Sequence, residues 1–119
     1  MTKNILIIDD DTELCEELSQ ILQDQGYLVD LAYNGKSGEM KIEQKSYEIV
    51  ILDYKLPGEN GGDVLRRIKS KKPELAIFMV SGRPQLEKYL KEENLLDLVA
   101  GVMNKPFDIE VLLEKLKYL

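Results

Sequence analysis

Short apolar runs recur along the chain, and each is too short to form a helix. Their residues are mostly β-branched or long aliphatic, which is typical of β-strands. The runs occupy residues 4–8, 28–32, 48–52, 75–80 and 99–103. We therefore predict five strands, each followed by a segment with a different pattern.

Helical spacing of apolar residues marks the segments between and after the predicted strands. The first such segment follows Asp11 and Thr12, either of which is a suitable N-cap. Gly26 is expected to end this helix. Another helix is expected after Asp108 as N-cap, and residues 35–45 form a more weakly patterned one. The apolar positions of the four stronger patterns are Leu14, Leu18, Ile21 and Leu22; Val64, Leu65 and Ile68; Leu86, Tyr89 and Leu90; and Leu112, Leu113 and Leu116.

Alternating strands and helices predict an α/β fold, in which right-handed crossovers build a doubly wound parallel sheet with helices on both faces. Residues 5–8, 49–52 and 76–80 are apolar throughout, as central strands buried on both sides should be. Residues 27–33 include Asp30 and are expected at an edge of the sheet. In such sheets ligands bind at the carboxyl ends of the strands.

Length, charge and cysteine content limit the kinds of protein to which this chain can belong. The 119 residues fit a single domain, 1–119. The net charge of -6 disfavours direct binding to nucleic acid or to anionic membrane lipid, because like charges repel. Cys15 is the only cysteine and there is no histidine, so an intramolecular disulfide or a His/Cys metal site cannot form. No apolar run approaches the roughly 18 to 20 residues of a membrane span, so we expect a cytoplasmic protein.

Polar side chains come close after four of the five predicted strands. These are Asp9 and Asp10 after the first strand, Asp53 after the third, Ser81 after the fourth and Lys105 after the fifth. Because the carboxyl ends of parallel strands meet at one edge of the sheet, we expect three carboxylates, a hydroxyl and an ammonium group to converge there.

Each of these residues, taken alone, also has an ordinary structural explanation. Asp9 stands where acids often cap a helix, and Asp53 is able to begin the turn that Pro57 and Gly58 continue. Ser81 and the glycine after it form a common loop dipeptide, and a single lysine is often surface charge. Their joint occurrence at one edge of the sheet favours a functional site.

The convergent charges indicate a particular chemistry. Three carboxylates held together raise the pKa of at least one of them unless a cation neutralises their charge. Oxygen ligands without histidine or cysteine suit Mg2+. Lys105 adds a fixed positive charge that can pair with Asp53 and then with an incoming anion. A phosphoryl group fits, because its transfer requires chiefly positioning and charge neutralisation. Asp53, ionised near pH 7, would be the nucleophile and form an acyl phosphate.

Four short motifs resemble those of the receiver domain of two-component response regulators, a CheY-like family, and the resemblance covers essentially all 119 residues. The motifs, in chain order, are ILIIDDD, LDYKLPGENG, MVSG and NKPF. Each motif is weak alone, whereas four in this order on one βα chain are specific. The resemblance implies a flavodoxin-like (βα)5 sandwich with a five-stranded parallel sheet of order 2-1-3-4-5.

By this resemblance, the residues at the predicted edge take defined roles. Asp53 is the phosphoacceptor, and Asp10 and Asp53 bind Mg2+ together with the backbone carbonyl of Lys55. Asp9 acts mainly through water. Lys55 and Arg83 flank the acceptor at positions expected to affect how readily water reaches the acyl phosphate. The domain is then a signalling domain that catalyses only its own phosphorylation and dephosphorylation.

The same resemblance implies a switch residue and partners. Ser81 is similar to the family's switch hydroxyl, Lys105 is similar to its phosphate-contacting lysine, and the Lys105-Pro106 peptide bond is a candidate cis bond. The implied phosphoryl donor is a phosphohistidine on a sensor histidine kinase or a histidine phosphotransfer protein. The signal passes to an output domain or protein that the sequence does not identify, and a homodimer is among the assemblies that the family forms.

One position departs from the family pattern. Three residues before Lys105 the family commonly has Tyr or Phe, whose ring moves as the switch hydroxyl shifts, but this chain has Val102. A valine has no ring to move and a stiff χ1 angle. Output is therefore expected to depend on the loop at Ser81, on the helix near residues 86–90 and on backbone shifts; the alternative is that signalling through this face is weak.

Three other interpretations remain open. A phosphatase resembling the haloacid dehalogenase group would use Asp9 as nucleophile with Asp11 two residues later, although its hydroxyl comes one place early, at Thr12. A flavodoxin-like cofactor binder needs a phosphate loop rich in Ser, Thr and Gly, but six acids lie between Asp9 and Glu17. A receiver-shaped interaction module without phosphorylation would carry the same motifs.

Overall fold

The computed structural model describes residues 2–106 and 108–119, so Met1 and the Phe107 that ends the NKPF motif lie outside the described residues. The described strands are β1 (Asn4–Ile8), β2 (Leu28–Ala32), β3 (Ile49–Asp53), β4 (Lys55–Leu56), β5 (Glu59–Asn60), β6 (Ala76–Ser81) and β7 (Gly101–Asn104). Five of them pair in parallel in the order β2-β1-β3-β6-β7. The predicted α/β fold and the order 2-1-3-4-5 are confirmed, because β6 and β7 are the fourth and fifth predicted strands.

Helices follow the strands as the apolar spacing predicts. They are α1 (Thr12–Asp24), α2 (Gly35–Gln44), α3 (Gly61–Lys71), α4 (Leu86–Glu92) and α5 (Ile109–Lys117). The side chain of Asp11 caps α1 by accepting the Leu14 N–H, and Asp108 caps α5 by accepting the Glu110 N–H. Both predicted N-caps are therefore confirmed, and at the first of them the residue is Asp11 rather than Thr12.

Alternate residues of β3 supply the core on the two faces of the sheet. Val50 and Leu52 belong to the cluster that packs against α2, α3 and α4, whereas Ile49 and Ile51 belong to the cluster that packs against α1 and α5. Burying one such side chain contributes about 1.5–3 kcal/mol. The strand is therefore held firmly on both faces, and Asp53 at its end has a fixed position.

Some boundaries differ from the sequence prediction. The third and fourth strands are shifted by one residue, so Asp53 and Ser81 are the last residues of β3 and β6 instead of following them. The fifth strand begins at Gly101, two residues later than expected. Two elements were not predicted at all: the antiparallel hairpin of β4 and β5, and a single turn of 3-10 helix at Leu96–Leu98.

Gly61 sets how closely α3 approaches the end of β3. Its N–H donates to the Tyr54 carbonyl, and a Cβ added to it would lie 2.7 Å from the Tyr54 Cα and nearer still to the Asp53 carbonyl oxygen. Backbone atoms cannot move aside cheaply, so Gly61→Ala is expected to lower the free energy of unfolding by about 1–3 kcal/mol. Urea denaturation measures this loss.

Gly82→Ala provides the control for that prediction. Among the described residues, no atom lies within 4 Å of a Cβ built on Gly82. Its free energy of unfolding is expected to change by less than about 0.5 kcal/mol. A Gly61→Ala protein as stable as the Gly82→Ala protein would show that the close approach at Gly61 is not required.

Within residues 2–106 and 108–119, no helix is both long enough and apolar enough to cross a membrane.

Candidate functional site

The carboxyl ends of the central strands open into a cleft of about 940 Å³. The sheet lines it with Asp53 at the end of β3, Ser81 at the end of β6 and Lys105 just after β7. Asp10, after β1, lines it as well, and the hairpin of β4 and β5 forms one wall. Asp9 lies behind this surface and is only 2% exposed. The structure thus brings all five of the edge residues singled out in the sequence to one place.

Three carboxylates form the acidic part of the cleft. Asp9, Asp10 and Asp53 each offer an oxygen, and these oxygens lie within 4.8 Å of one another. Asp9 and Asp53 are buried, whereas Asp10 is exposed. A set made only of oxygen donors and open to solvent on one side fits a hard divalent cation such as Mg2+, which keeps several waters and takes one or two carboxylates.

Lys105 links the two buried acids. Its Nζ lies 2.6 Å from Oδ2 of Asp9 and 3.3 Å from Oδ2 of Asp53. Burial alone would lower the pKa of Lys105, but the bonds and charges of the two carboxylates outweigh it, and the pKa is raised. The predicted pairing with Asp53 is present, and the shorter contact to Asp9 is an addition that the sequence did not reveal.

The surroundings of Asp53 shift its pKa. Burial and, next, the nearby charge of Asp9 raise the pKa of Asp53 to about 6, while Lys105 and the Lys55 N–H act to lower it. That N–H donates to Oδ1 of Asp53 at 3.3 Å, and the Lys105 ammonium donates to Oδ2. At neutral pH Asp53 is therefore mostly ionised, and it lines the open cleft.

Asp9 is fixed from behind by the start of α1. Its Oδ1 accepts the Asp11 N–H at 2.9 Å, and the Cys15 thiol donates to its backbone carbonyl at 3.3 Å. Burial, together with the charges of Asp9 and Asp11, raises the pKa of Cys15 to about 12. These contacts hold Asp9 in place for its ion pair with Lys105.

The Ser81 hydroxyl is buried beside the cleft and accepts the Arg83 N–H at 2.9 Å. The Arg83 guanidinium lies over the ring of Tyr89 on α4, with its central carbon 4.1 Å from the ring centroid. Such stacking is worth about 0.5–1 kcal/mol at an exposed site. Ser81 and α4 are therefore connected through the backbone and side chain of one residue.

Two further positions bear on the sequence predictions. The Lys105-Pro106 peptide bond, a candidate cis bond by the resemblance, is cis. Val102 lies half-buried on β7 opposite Met79 of β6 and packs against the cluster that includes α4. The place where the family commonly has an aromatic ring is therefore filled by a small aliphatic side chain.

The residues that hold the hairpin in place were not predicted from the sequence. The hydroxyl of Tyr54, directly after Asp53, donates to the Glu93 carboxylate at 3.3 Å, beyond the end of α4. Arg67 on α3 bonds to Glu59 in the hairpin. The Pro57-Gly58 pair between two short segments was the one local signal for a hairpin; nothing local indicates the long-range partners.

Comparison with known proteins places these features in a family. A family model described as the response regulator receiver domain matches residues 5–117. The transcriptional regulatory protein DltR of Streptococcus agalactiae is 32% identical over 95% of this chain and 50% of its own length. The response regulator ArlR of Staphylococcus epidermidis is 34% identical over 96% of this chain and 51% of its own length. The chain spans about half the length of these curated relatives.

Solved structures agree with the sequence relatives. A CheY-like response regulator receiver domain protein from Methanospirillum hungatei has a TM-score of 0.90 at 33% identity, covering 99% of this chain and 93% of that one. The response regulator TrrA from Thermotoga maritima, crystallised with Mg(2+)-BeF, has a TM-score of 0.87 at 30% identity, covering 98% of both chains. Neither set of matches favours a haloacid dehalogenase phosphatase.

Proposed function

The chain belongs to the response regulator receiver domain family, and from that premise we propose that residues 1–119 form one receiver that accepts a phosphoryl group on Asp53. One observation carries the assignment of the acceptor: Asp53 ends a strand buried on both faces, lines the open cleft and lies 3.3 Å from the Lys105 ammonium. Asp9 shares that ammonium but is covered by the protein. Of the two buried acids, Asp53 is the one that a donor can reach.

Asp10 and Asp53 would hold Mg2+ together with the backbone carbonyl of Lys55, and Asp9 would contribute through water. The close grouping of the three carboxylates supports this set. When bound, the ion supplies positive charge to the phosphoryl oxygens. Because Asp10 is exposed, an ion held there would remain in contact with solvent water, which suits an ion that binds and leaves.

In the transfer reaction, a carboxylate oxygen of Asp53 attacks phosphorus while the bond between phosphorus and the donor's imidazole nitrogen breaks. The electron pair of that bond stays with the imidazole, and an acyl phosphate forms on Asp53. Lys105 neutralises charge on the phosphoryl oxygens, and the Ser81 hydroxyl donates to one of them. No general base is required, because Asp53 is mostly ionised at neutral pH.

The donor would be a phosphohistidine on a sensor histidine kinase or a histidine phosphotransfer protein, and the reaction would take place in the cytoplasm. The domain would act on its own Asp53 rather than turn over a separate substrate. With Val102 in place of an aromatic ring, we propose that the signal reaches an output domain or protein, or a second copy of the chain, through Ser81, Arg83 and the Tyr89 face of α4. The stack of Arg83 on Tyr89 supports that route.

Incubation with acetyl phosphate and Mg2+, followed by intact mass measurement and peptide mapping, tests the proposed function. We expect the mass of one phosphoryl group, located on Asp53 and lost when the ion is chelated. Phosphorylation of Asp9 instead would indicate the phosphatase alternative, and no phosphorylation with either acetyl phosphate or a phosphohistidine donor would indicate an interaction module.

Lys55 and Arg83 flank the acceptor and line the cleft. Replacing either with alanine is expected to change the rate of acyl phosphate hydrolysis about two- to tenfold, because a long side chain near the acceptor limits the approach of water. Phosphorylation is expected to change less. Decay of the phosphorylated protein after donor removal measures the first rate, and hydrolysis that is unchanged in both variants would contradict the expectation.

A further inference from the structure

The hairpin that walls the cleft is too small to hold its own position. Its strands β4 and β5 have two residues each, and an isolated two-stranded hairpin is marginal in water even when it is longer. Leu56 is buried, which anchors one strand. The other strand runs directly into α3, which Asn60 caps by accepting the Asp63 N–H. Glu59 is the residue of that strand whose side chain lies against α2.

Arg67 connects the hairpin to two helices through one guanidinium. From α3, its Nε and one Nη reach the two carboxylate oxygens of Glu39 on α2 at 2.9 and 3.0 Å. The same Nη lies 2.5 Å from a carboxylate oxygen of Glu59. The pair with Glu39 is bidentate, the geometry in which arginine binds a carboxylate most strongly. Hydrogen bonds to both carboxylates raise the pKa of Arg67, so it stays charged.

Glu59 is held at the edge of the cleft against α2. It lines the cleft, and a Cβ built on Gly35, the first residue of α2, would collide with its carboxylate. Its side chain is 27% exposed and that of Glu39 is 19% exposed, so both acids are partly withdrawn from water. Without a cation between them, the two carboxylates would repel each other, and the hairpin would move away from α2.

We propose that Arg67 is a positioning residue for the phosphoacceptor site. By joining Glu59 to Glu39 it holds the hairpin against α2, and the hairpin then limits access of water to the phosphorylated Asp53. This inference rests on the proposed function. Loss of the contacts between Arg67 and the two acids releases the hairpin, which carries Lys55. Water then reaches the acyl phosphate more easily. It attacks phosphorus and displaces the Asp53 carboxylate.

Arg67→Gln tests the inference with two measurements. Decay of the acetyl phosphate-labelled protein is expected to be about fivefold faster than in the wild type, which is what loss of about 1 kcal/mol of ion-pair stabilisation would produce. Amide hydrogen exchange at residues 55–60 in the unphosphorylated protein is expected to rise as well. Glu59→Gln removes the charge from the hairpin contact and weakens it but leaves Arg67 bound to Glu39, so it should shift both measurements in the same direction even if Arg67→Gln folds poorly.

Lys71→Gln is the matched control. Lys71 on α3 pairs with Glu43 on α2 at 3.0 Å, so it joins the same two helices and carries the same charge. Within the described residues, no ion pair or side-chain hydrogen bond connects it to the hairpin. Its decay rate and its exchange at residues 55–60 are expected to match the wild type. Arg67→Lys should fall between Arg67→Gln and the wild type, because an ammonium lacks the planar fork that binds both acids.

The measurements distinguish failure of the positioning role of Arg67 from failure of the proposed function. Decay at the wild-type rate in phosphorylated Arg67→Gln and Glu59→Gln would overturn the positioning role, even if hairpin exchange rises. Faster decay in Lys71→Gln as well would overturn it by assigning the effect to α2–α3 packing or to net charge. If the wild-type protein is never phosphorylated, the proposed function fails. Unchanged exchange in Arg67→Gln and Glu59→Gln would then show independently that Arg67 does not hold the hairpin.

Discussion

Asp53→Asn is expected to abolish phosphorylation by acetyl phosphate, leaving no mass gain under conditions in which the wild type is fully labelled. A carboxamide has nearly the same shape as the carboxylate but is not a competent nucleophile toward phosphorus at neutral pH. The change also removes one of the three carboxylates that are grouped in the cleft. Intact mass measured over a time course with Mg2+ provides the result.

The variant is expected to remain folded. The pKa of Asp53 is raised to about 6 in the folded protein, so its contribution to stability is fully present below its unfolded pKa and is lost as the pH rises through the folded value. At pH 7 the ionised side chain therefore costs stability, and a neutral amide avoids that cost. Asp53→Asn should be at least as stable as the wild type at pH 7 in urea denaturation.

Asp9→Asn distinguishes a receiver, which is phosphorylated on Asp53, from a phosphatase that uses Asp9 as nucleophile. If Asp53 is the acceptor, the Asp9 variant should still become labelled on Asp53, more slowly, because Asp9 lies behind the cleft and orients Lys105. A phosphatase that uses Asp9 as nucleophile would give the reverse result. Persistent labelling of Asp53→Asn together with loss of labelling in Asp9→Asn would reject the proposed function.

Lys105→Met is expected to have the second largest effect, a decrease of about 10²–10³-fold in the rate of phosphorylation. The methionine fills similar space but carries no charge, so the ammonium that lies 3.3 Å from Asp53 is lost. The two buried acids are then left facing each other, which raises the pKa of Asp53 further and reduces its ionised fraction. Labelling rates at saturating Mg2+ measure the loss.

Lys117→Met controls for the removal of one positive charge. Lys117 is an exposed residue on α5 whose nearest acid is Glu114 at 3.8 Å. Its labelling rate is expected to equal that of the wild type. A Lys105→Met protein that is labelled within about twofold of the wild-type rate would mean that charge at this position does not contribute to the transfer.

The strands and helices could be predicted because their patterns are local. In β3 the run from Ile49 to Leu52 is apolar at every position, since both faces are covered, and α1 shows one apolar stripe after Asp11. The meeting of Asp53 and Lys105 followed from topology, because parallel strands bring their carboxyl ends to one edge. Hence most of the candidate site could be placed before its distances were known.

The remaining features depend on contacts that no local pattern contains. Lys105 and Asp9 are 96 residues apart, and Arg67 and Glu39 are 28 residues apart, so neither pair leaves a periodic signal. The sequence also indicated no N-cap for α4. Gln85 precedes it in the left-handed conformation, with a φ of 59°, and no side chain caps the helix there. Glutamine does not signal such a backbone, whereas glycine or asparagine would.

The Cys15 thiol is buried beside Asp9, and this allows a measurement on the unmodified protein. Cys15 is fully buried and its pKa is raised to about 12, so we expect alkylating reagents to react with it chiefly when α1 moves away from the sheet. The half-life of Cys15 alkylation therefore measures how often α1, which lies behind Asp9, moves away from the sheet. A change of that half-life after Asp53 is phosphorylated would reveal, without any engineered probe, whether the acyl phosphate tightens or loosens the protein behind it.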